Sequence, residues 1–315
     1  MPGLAALAID LGGSHATCAL VRDGGIVASK SIPADGTTGL GGLLPAIAET
    51  LRELMQTTHT DRADCSAVVM GFPGIAIARE NHVLATNAKF DDAPGLDLTG
   101  WFKKALGLPF LIENDARLAL LGEYAFGAAR GAEDAVMITL GTGIGGAAML
   151  GGRLLQSKHG LAGTIGGHLP LNMSGRQCTC GNIGCAESEG STFFLPVIYR
   201  AQPGGAEGSL ANREGIGFAE LFLAAEAGDK PAKSALEHCL RAWAVLTVGL
   251  IHMYDPEVVV IGGSVMKREA EILPKLQQYV KEHAWTPNRT VPLRTAVLGS
   301  NAALLGALPL VEYSL

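Results

Sequence analysis

The chain has 315 residues, of which 48% are hydrophobic and 17% charged, so it resembles folded, core-rich proteins and not disordered ones. This length suits two domains of ordinary size. The formal net charge is −6 and no run of five basic residues occurs, which argues against a nucleic-acid partner.

The amino-terminal segment lacks the features of a signal peptide, because it has no basic start and Asp10 interrupts its apolar run. The most apolar later window, AWAVLTVGLIHMY, has 13 residues, whereas a membrane span needs roughly 20. We therefore expect a buried helix there, no membrane partner and a cytoplasmic location, in which thiols stay reduced.

The first part of the chain predicts strands followed by helices. LAALAIDL, ATCALV and IVASKSI have the pattern of strands separated by turns, and LLPAIAETLRELMQ has the spacing of an amphipathic helix. CSAVVMGFPG indicates a further buried strand. LPFLIEND followed by ARLALLGEYAFG predicts a strand, a polar corner and a helix.

The same order then restarts. DAVMITLGTGIGG and AAMLGGRLL indicate a strand, a glycine-rich turn and a hairpin partner. SALEHCLRAWAVLTVGLIHMYDP predicts a long helix, EVVVIGGS a strand and EAEILPKLQQYVKEH a helix. We therefore predict two α/β domains of similar plan, joined just after IEND, with a cleft between them.

Glycine-rich corners mark three candidate nucleotide contacts. In AIDLGGSHATCALV, Gly12 and Gly13 would let backbone amides approach an anion, and Asp10 could face a magnesium ion. ITLGTGIGGAAML repeats this strand, glycine-rich turn and strand in the second domain, so the two turns could bind a polyphosphate from both sides. An adenosine could lie against Gly262 and Gly263 in VVVIGGSVM. The alternatives are a tight hairpin with a capping Asp at the first corner and plain strand–helix packing at the last.

IENDARLAL contains a candidate catalytic base. Asn114 and Asp115 come at the carboxyl end of a predicted strand, where open α/β folds keep their sites. A carboxylate there can accept a proton from an attacking hydroxyl. The alternative is that Asp115 only caps the helix that follows.

Three of the six cysteines fall within CTCGNIGC, which begins ten residues after His168. Three thiolates and one imidazole are a known four-coordinate zinc set, and the C-x-C spacing strains a disulfide but suits a metal. We therefore predict a closed, structural Zn²⁺ site formed by His168, Cys178, Cys180 and Cys185. Free or disulfide-paired thiols are the alternative.

Taken in order, AIDLGGSHATCALV, GFPG, IENDA, GTGIGG, GGHLPL…CTCGNIGCAES and VVVIGGSV resemble the ROK (repressor, open reading frame, kinase) family of sugar kinases. The resemblance covers essentially the whole chain. It implies a two-domain, actin-like ATPase (RNase H-like) α/β fold with an inter-domain cleft, and a homodimer. It also implies that the carboxyl-terminal helix, NAALLGALPLVEY, returns to the first domain. We accordingly assign residues 1–117 plus 298–315 to the first domain and 118–297, with the zinc loop, to the second.

The resemblance further implies phosphorylation of a hexose by ATP, glucose-like and at the 6-hydroxyl, with catalytic Mg²⁺ and structural Zn²⁺. Asp115 matches the catalytic base. The positions implied for the sugar are Gly74, Asn87, Asn114, Asp115, Thr164, His168 and Glu187. The positions implied for the phosphates are Asp10, Gly12, Gly13, Ser14, Gly141, Thr142 and Gly143. Gly262 and Gly263 remain the candidates for the adenosine. Zinc on one nitrogen of His168 would orient the other toward the sugar.

The segment AGTIGGH departs from the family pattern A-G-E-x-G-H. Thr164 replaces the Glu and one glycine is inserted before His168, whereas the spacing from His168 to Cys178 is kept. The identity of the sugar therefore stays open. The alternatives are a substrate that differs at the C1–C2 edge, a sugar-binding regulatory protein with weak or lost activity, and compensation by Glu189 or a water.

Two further questions concern the class of protein and the phosphoryl donor. A repressor of the same family would carry an amino-terminal helix-turn-helix, for which the residues before Asp10 leave no room. The sequence does not distinguish ATP from polyphosphate as the donor.

Overall fold

A computed structural model of the protein describes residues 5–87, 89–213 and 215–314. The strands are β1 (Ala5–Leu11), β2 (His15–Arg22), β3 (Gly25–Pro33), β4 (Cys65–Phe72), β5 (Ile75–Ile77), β6 (His82–Ala85), β7 (Phe110–Asn114), β8 (Ala135–Leu140), β9 (Ile144–Leu150), β10 (Arg153–Leu154), β11 (Val258–Gly262) and β12 (Leu293–Thr295). The α-helices are α1 (Leu40–Thr57), α2 (Leu98–Leu106), α3 (Asp115–Phe126), α4 (Ala186–Gly190), α5 (Leu195–Arg200), α6 (Phe218–Glu226), α7 (Lys230–Tyr254), α8 (Glu269–His283), α9 (Ala302–Leu305) and α10 (Ala307–Ser314). Leu4, the first residue of the predicted LAALAIDL strand, lies outside the described residues.

The chain forms two compact units. Unit 1 comprises Met1–Gly131, Leu154–Thr164 and Val297–Leu315, and unit 2 comprises Ala132–Arg153 and Ile165–Ala296. The sheet of unit 1 has the strand order β3-β2-β1-β4-β7, and that of unit 2 has the order β10-β9-β8-β11-β12. In both sheets, the first strand in the chain pairs antiparallel with its hairpin partner and parallel with a later strand. The predicted repeat of one α/β plan is therefore present.

Unit 1 places its apolar residues by simple strand alternation. Leu7, Ile9 and Leu11 of β1 point to one face, where they share a core with Leu44 and Ile47 of α1. The parallel strands β4 and β7 are almost wholly buried, as strands covered by helices usually are. Their carboxyl ends therefore emerge from a rigid core, which fixes the residues that follow them.

Unit 1 extends beyond the predicted boundary at residues 117 and 118, because α3 packs against α9 and α10. Gly122 of α3 lies so close to the backbone of Ala302 that a Cβ there would overlap it. Gly306 lies equally close to the backbone of Leu118. The predicted single helix over NAALLGALPLVEY is instead two short helices that meet at Gly306. Glycine at both contacts lets the two backbones approach this closely.

The short segment that follows β10 also belongs to unit 1, although the sequence analysis assigned it to the second domain. The buried guanidinium of Arg117 donates hydrogen bonds to the carbonyls of Leu155, at 3.0 Å, and of Ala162. Gln156 donates to the carboxylate of Glu113 at 2.9 Å, and the same carboxylate pairs with Arg117 at 3.1 Å. A buried charge without partners is costly, so this network holds the segment in place.

The core of unit 2 contains α7, which includes the apolar window AWAVLTVGLIHMY. Trp243 is buried and donates from its indole nitrogen to the carbonyl of Gly190 at 2.8 Å. Helices α4, α5, α6 and α8 all pack against α7. In the described part of the chain, α7 is the one helix long and apolar enough to span a membrane, but the core helix of a soluble protein meets the same criteria. Its burial agrees with the prediction of a buried helix.

Candidate active site

Asp115 is the first residue of α3 and follows β7 directly. Asn114 caps this helix, since its Oδ1 accepts from the amides of Ala116, at 3.0 Å, and Arg117, at 3.2 Å. The Asn114 Nδ2 donates to the carbonyl of Gly74 at 3.1 Å and to Asp115 Oδ1 at 2.9 Å. All four hydrogen-bonding capacities of this amide are thus used within the protein. The helix cap is Asn114, so Asp115 is left for another role.

Two partly buried carboxylates of unit 1, Asp10 and Asp115, have raised proton affinities. Burial raises the pKa of Asp115, and hydrogen bonds from Ala116 and Asn114 together with the nearby charge of Lys89 lower it only in part. Burial, followed by the negative charge of Asp115, raises the pKa of Asp10 from 3.8 to about 7. A divalent cation would relieve this repulsion, and carboxylate oxygens suit magnesium. The two side chains therefore fit a site for a cation and a reacting hydroxyl.

The first glycine-rich turn joins β1 to β2 in the same unit. The amide of Gly12 donates to the carbonyl of His15 at 2.9 Å, which closes the turn. The side chain of Lys89 occupies the space in which a Cβ on Gly13 would lie, so a side chain there would displace Lys89. Ser14 is exposed, and its hydroxyl lies 3.0 Å from Nδ1 of His15. The predicted phosphate loop is thus a tight hairpin that begins one residue after Asp10.

Gly74 and Asn87 are also in unit 1. A Cβ on Gly74 would lie 2.7 Å from the carbonyl oxygen of Ala85 and 2.7 Å from the ring of Phe72, so only glycine fits. Its carbonyl is the one that accepts from Asn114, so Gly74 helps to orient that amide. Asn87 follows β6 and is exposed.

The second glycine-rich turn joins β8 to β9 in unit 2. The amide of Gly141 donates to the carbonyl of Gly143 at 3.0 Å, with Thr142 at the tip. Glu187 is buried in the first turn of α4, and its Oε2 accepts from the amide of Ile144 at 3.0 Å. This oxygen also lies 2.5 Å from the position of a Cβ on Gly143. Glu187 is therefore bonded to the loop that was predicted to hold phosphate.

Gly262 and Gly263 end β11 in unit 2. Gly263 has φ 97°, a conformation that other residues rarely adopt, and a Cβ there would overlap the backbone of Leu140. A Cβ on Gly262 would lie 2.9 Å from Met137 and 3.1 Å from Ala296. Close packing thus accounts for both glycines, and the predicted adenosine contact stays a prediction.

The cysteine loop of unit 2 has the geometry of a metal site. One ligand atom from each of His168, Cys178, Cys180 and Cys185 lies within 4.8 Å of the other three. Nδ1 of His168 is 3.6 Å from the sulfur of Cys178, and the sulfurs of Cys180 and Cys185 are 3.6 Å apart and not bonded. Tetrahedral zinc places neighbouring sulfur and nitrogen ligands roughly 3.5–3.8 Å apart. The four residues therefore fit zinc, with Nε2 of His168 directed away from the cysteines.

The departure from the family pattern begins at Thr164. Its side chain is buried, and Oγ1 has no hydrogen-bond partner among the described residues. In unit 2, a 3₁₀ helix spans Gly166–His168. Gly167 lies against the carbonyl of Ile144 so closely that no side chain would fit. The tight turn of this 3₁₀ helix thus accommodates the inserted glycine.

Glu189 is not free to replace the missing glutamate. Its Oε1 accepts from the amide of Arg176 at 2.9 Å. Its Oε2 accepts from the Arg176 guanidinium at 2.6 Å and lies 2.8 Å from Nε2 of His238. This buried carboxylate therefore anchors the segment just before Cys178.

The sequence analysis missed two sets of residues. Lys89 reaches the first glycine-rich turn from a different loop, and Glu113 with Arg117 forms a buried ion pair beside Asp115. Lys89 could have been noticed as a cation two residues after Asn87. Nothing in the sequence indicated that Arg117 is buried, because a charged residue in the first turn of a helix is usually exposed.

The family model described as ROK family matches residues 6–313. The chain belongs to the ROK family. The glucokinase from Thermotoga maritima is 31% identical over 320 residues, which cover 99% of this chain and 98% of that protein. The N-acetylmannosamine kinase from Citrobacter koseri is 32% identical over 311 residues, which cover 98% and 99%.

A solved ROK structure shows the fold. The ROK family glucokinase from Streptomyces griseus, in complex with glucose and AMPPNP, is similar with a TM-score of 0.80 and 26% identity, covering 98% of this chain and 99% of that chain. The predicted family and the actin-like α/β fold of ROK kinases are therefore confirmed.

Proposed function

We propose that this ROK protein is a sugar kinase that transfers the γ-phosphoryl group of ATP to a hydroxyl of a hexose, at the 6-position. The observation that carries the proposal is the pair of partly buried carboxylates with raised pKa values in unit 1, Asp115 held by Asn114 and Asp10 beside a glycine-rich turn. Family membership and whole-length similarity to sugar kinases support it.

Asp115 is the general base in this proposal. Its carboxylate accepts the proton of the sugar hydroxyl as that oxygen attacks phosphorus. Burial raises the pKa of Asp115 toward the range in which a base works well near neutral pH. Since the Asn114 amide is fully used, we assign Asn114 a positioning role and not a direct sugar contact. Gly74 supports Asn114, and exposed Asn87 stays a candidate sugar contact.

Asp10 would hold Mg²⁺, which supplies positive charge at the phosphates when bound. The backbone amides of Gly12 and Gly13 with the Ser14 hydroxyl would bind phosphate oxygens in unit 1. The turn formed by Gly141, Thr142 and Gly143 would do the same in unit 2.

The remaining sugar contacts and the zinc site belong together. Zinc on Nδ1 of His168 would leave Nε2 as a pre-oriented donor to a sugar hydroxyl. Glu187, whose Oε2 bonds to Ile144, and the unpartnered Thr164 hydroxyl are the further candidates for the sugar. A homodimer in the cytoplasm is implied by the family and stays part of the proposal.

One observation favours a second candidate, a kinase for a sugar that differs at the C1–C2 edge or a weak kinase with a regulatory role. Thr164 stands where the family has a Glu, and Glu189 is already bonded to Arg176 and His238. Of the two groups that could compensate for the missing glutamate, Glu189 and a water molecule, only the water remains.

The test is a coupled ADP-release assay with glucose, mannose, fructose, allose and N-acetylated hexosamines. With polyphosphate in place of ATP, formation of the sugar phosphate is measured instead, because that donor releases no ADP. We expect turnover with ATP on at least one hexose. Sugar binding without ADP release across the panel would reject the kinase proposal.

A further inference from the structure

A buried aromatic residue fixes the loop between β6 and α2. Phe90 is fully buried, and its amide donates to the carbonyl of Gly36 at 2.6 Å. Its ring centroid lies 6.3 Å from that of Phe72. Its φ of 57° is a conformation that bulky residues adopt only when their surroundings enforce it, and such positions concentrate at functional sites. The residue before it, Lys89, is therefore aimed in a fixed direction.

Lys89 runs from this loop to the first glycine-rich turn. Its Cβ and Cγ lie 3.1 and 3.2 Å from the position of a Cβ on Gly36, so its stem packs along that backbone. Its Nζ lies 2.5 Å from the position of a Cβ on Gly13. The ammonium group thus occupies the space beside the turn that glycine leaves open, and its charge also reaches Asp115.

The Lys89 ammonium group has no partner of its own among the described residues. In residues 5–87, 89–213 and 215–314, Lys89 forms neither a side-chain hydrogen bond nor an ion pair within 4.0 Å. A lysine kept only to offset the charges of Asp10 and Asp115 would be expected to bond to one of them. Lys89 instead lies beside the turn, close enough to act on the charge of Asp115, and among the described residues it is bonded to neither carboxylate, which is the arrangement of a cation kept ready for an anionic ligand.

We propose that Lys89 is a catalytic residue that binds the γ-phosphoryl group of ATP during transfer, an inference that rests on the proposed kinase function. In the step, the bond between phosphorus and the sugar oxygen forms, and the bond between phosphorus and the β,γ-bridging oxygen breaks. The bridging electron pair leaves with ADP, and the sugar proton goes to Asp115. Lys89 exchanges no proton and donates hydrogen bonds to the phosphoryl oxygens as charge spreads over them.

The first test compares turnover in Lys89→Met, Lys89→Arg and the matched control Lys104→Met, an exposed lysine on α2. We expect Lys89→Met to lower kcat by about 10–100-fold with little change in the KM for sugar, since bonds to charged groups are this strong. Lys89→Arg should restore part of the loss and Lys104→Met should have no effect. The loss must persist from pH 6 to 9. A loss that disappears at high pH would mean that Lys89 acts only through the proton of Asp115, and would overturn the proposal.

The second test separates this inference from the proposed function. Calorimetry measures the binding of Mg·AMPPNP and of Mg·ADP to each protein, because only the first ligand carries a γ-phosphoryl group. Lys89→Met should reduce the preference for AMPPNP over ADP about tenfold or more, and an unchanged preference overturns the proposal. If the natural protein phosphorylates no hexose, the kinase proposal fails, and this ratio alone decides whether Lys89 binds the γ-phosphoryl group.

Discussion

Replacing Asp10 by Asn should make the ligand-free protein more stable while it removes magnesium-dependent turnover. Burial and the charge of Asp115 raise the pKa of Asp10 from 3.8 to about 7 in the folded protein. The folded state therefore binds this proton more tightly than the unfolded state does. The resulting stabilisation is fully present below pH 3.8 and is lost as the pH rises through about 7.

The size of this change in stability follows from the pKa of Asp10 in the unfolded state, 3.8, and in the folded state, about 7. Each pH unit between them corresponds to about 1.4 kcal/mol, so ionised Asp10 destabilises the folded state by about 4 kcal/mol above pH 7. The Asp10→Asn protein has no such charge. We expect it to exceed the natural protein in unfolding free energy by up to about 4 kcal/mol at pH 8, and to match it near pH 4.

The assay is urea unfolding of both proteins from pH 4 to 8, without added magnesium and without a chelator that would remove zinc. Asp23→Asn, in the exposed turn between β2 and β3, is the matched control, since its positive φ of 52° suits Asn as well as Asp. Parallel pH profiles for Asp10→Asn and the natural protein would refute the reasoning. A gain in stability with loss of turnover would show that the site is kept at a cost to stability.

The remaining predictions concern the base, the metal and the sugar. Asp115→Asn should lower kcat by about 10²–10⁴-fold while sugar binding stays measurable by calorimetry, and retention of more than a tenth of the natural turnover would contradict its role as the base. Cys180→Ser should reduce the zinc content from about one per chain and lower the melting temperature; full zinc in elemental analysis would count against the four-ligand site. Thr164→Glu combined with deletion of one glycine before His168 should raise kcat/KM for glucose by about 10–100-fold, and a variant no better than the natural protein would disprove a specificity change.

Local sequence patterns predicted the elements that carry the site. The apolar run before Asn114 and the helical spacing after Asp115 placed the junction of β7 and α3 correctly. The cysteine spacing brought His168 together with its three partners, because those ligands lie on one short loop. These features depend on neighbours along the chain, which periodicity and spacing report directly.

Features that depend on distant contacts could not be predicted. One of the hydrogen bonds that occupy the Asn114 amide goes to the carbonyl of Gly74, which lies 40 residues earlier in the chain. Nothing in the composition of the LATNAKF loop indicates that Lys89 ends beside Gly13. The contact between His238 and the Glu189 carboxylate likewise depends on the packing of α7 beside α4. Only tertiary structure decides whether such a polar group is available to a ligand.

The close contact between α3 and the carboxyl-terminal helices, made at Gly122 and Gly306, has a consequence for biosynthesis. Unit 1 contains β1, yet α9 and α10, which pack against β1 and α3, are made long after it. Domains usually fold from the amino terminus onward as the chain emerges. Here the amino-terminal sheet lacks part of its covering until translation reaches residue 314, whereas unit 2 has its whole sequence by residue 296. Until these helices are made, the nascent chain would therefore expose the part of β1 that they cover, and exposed apolar surface of this kind is what chaperones bind.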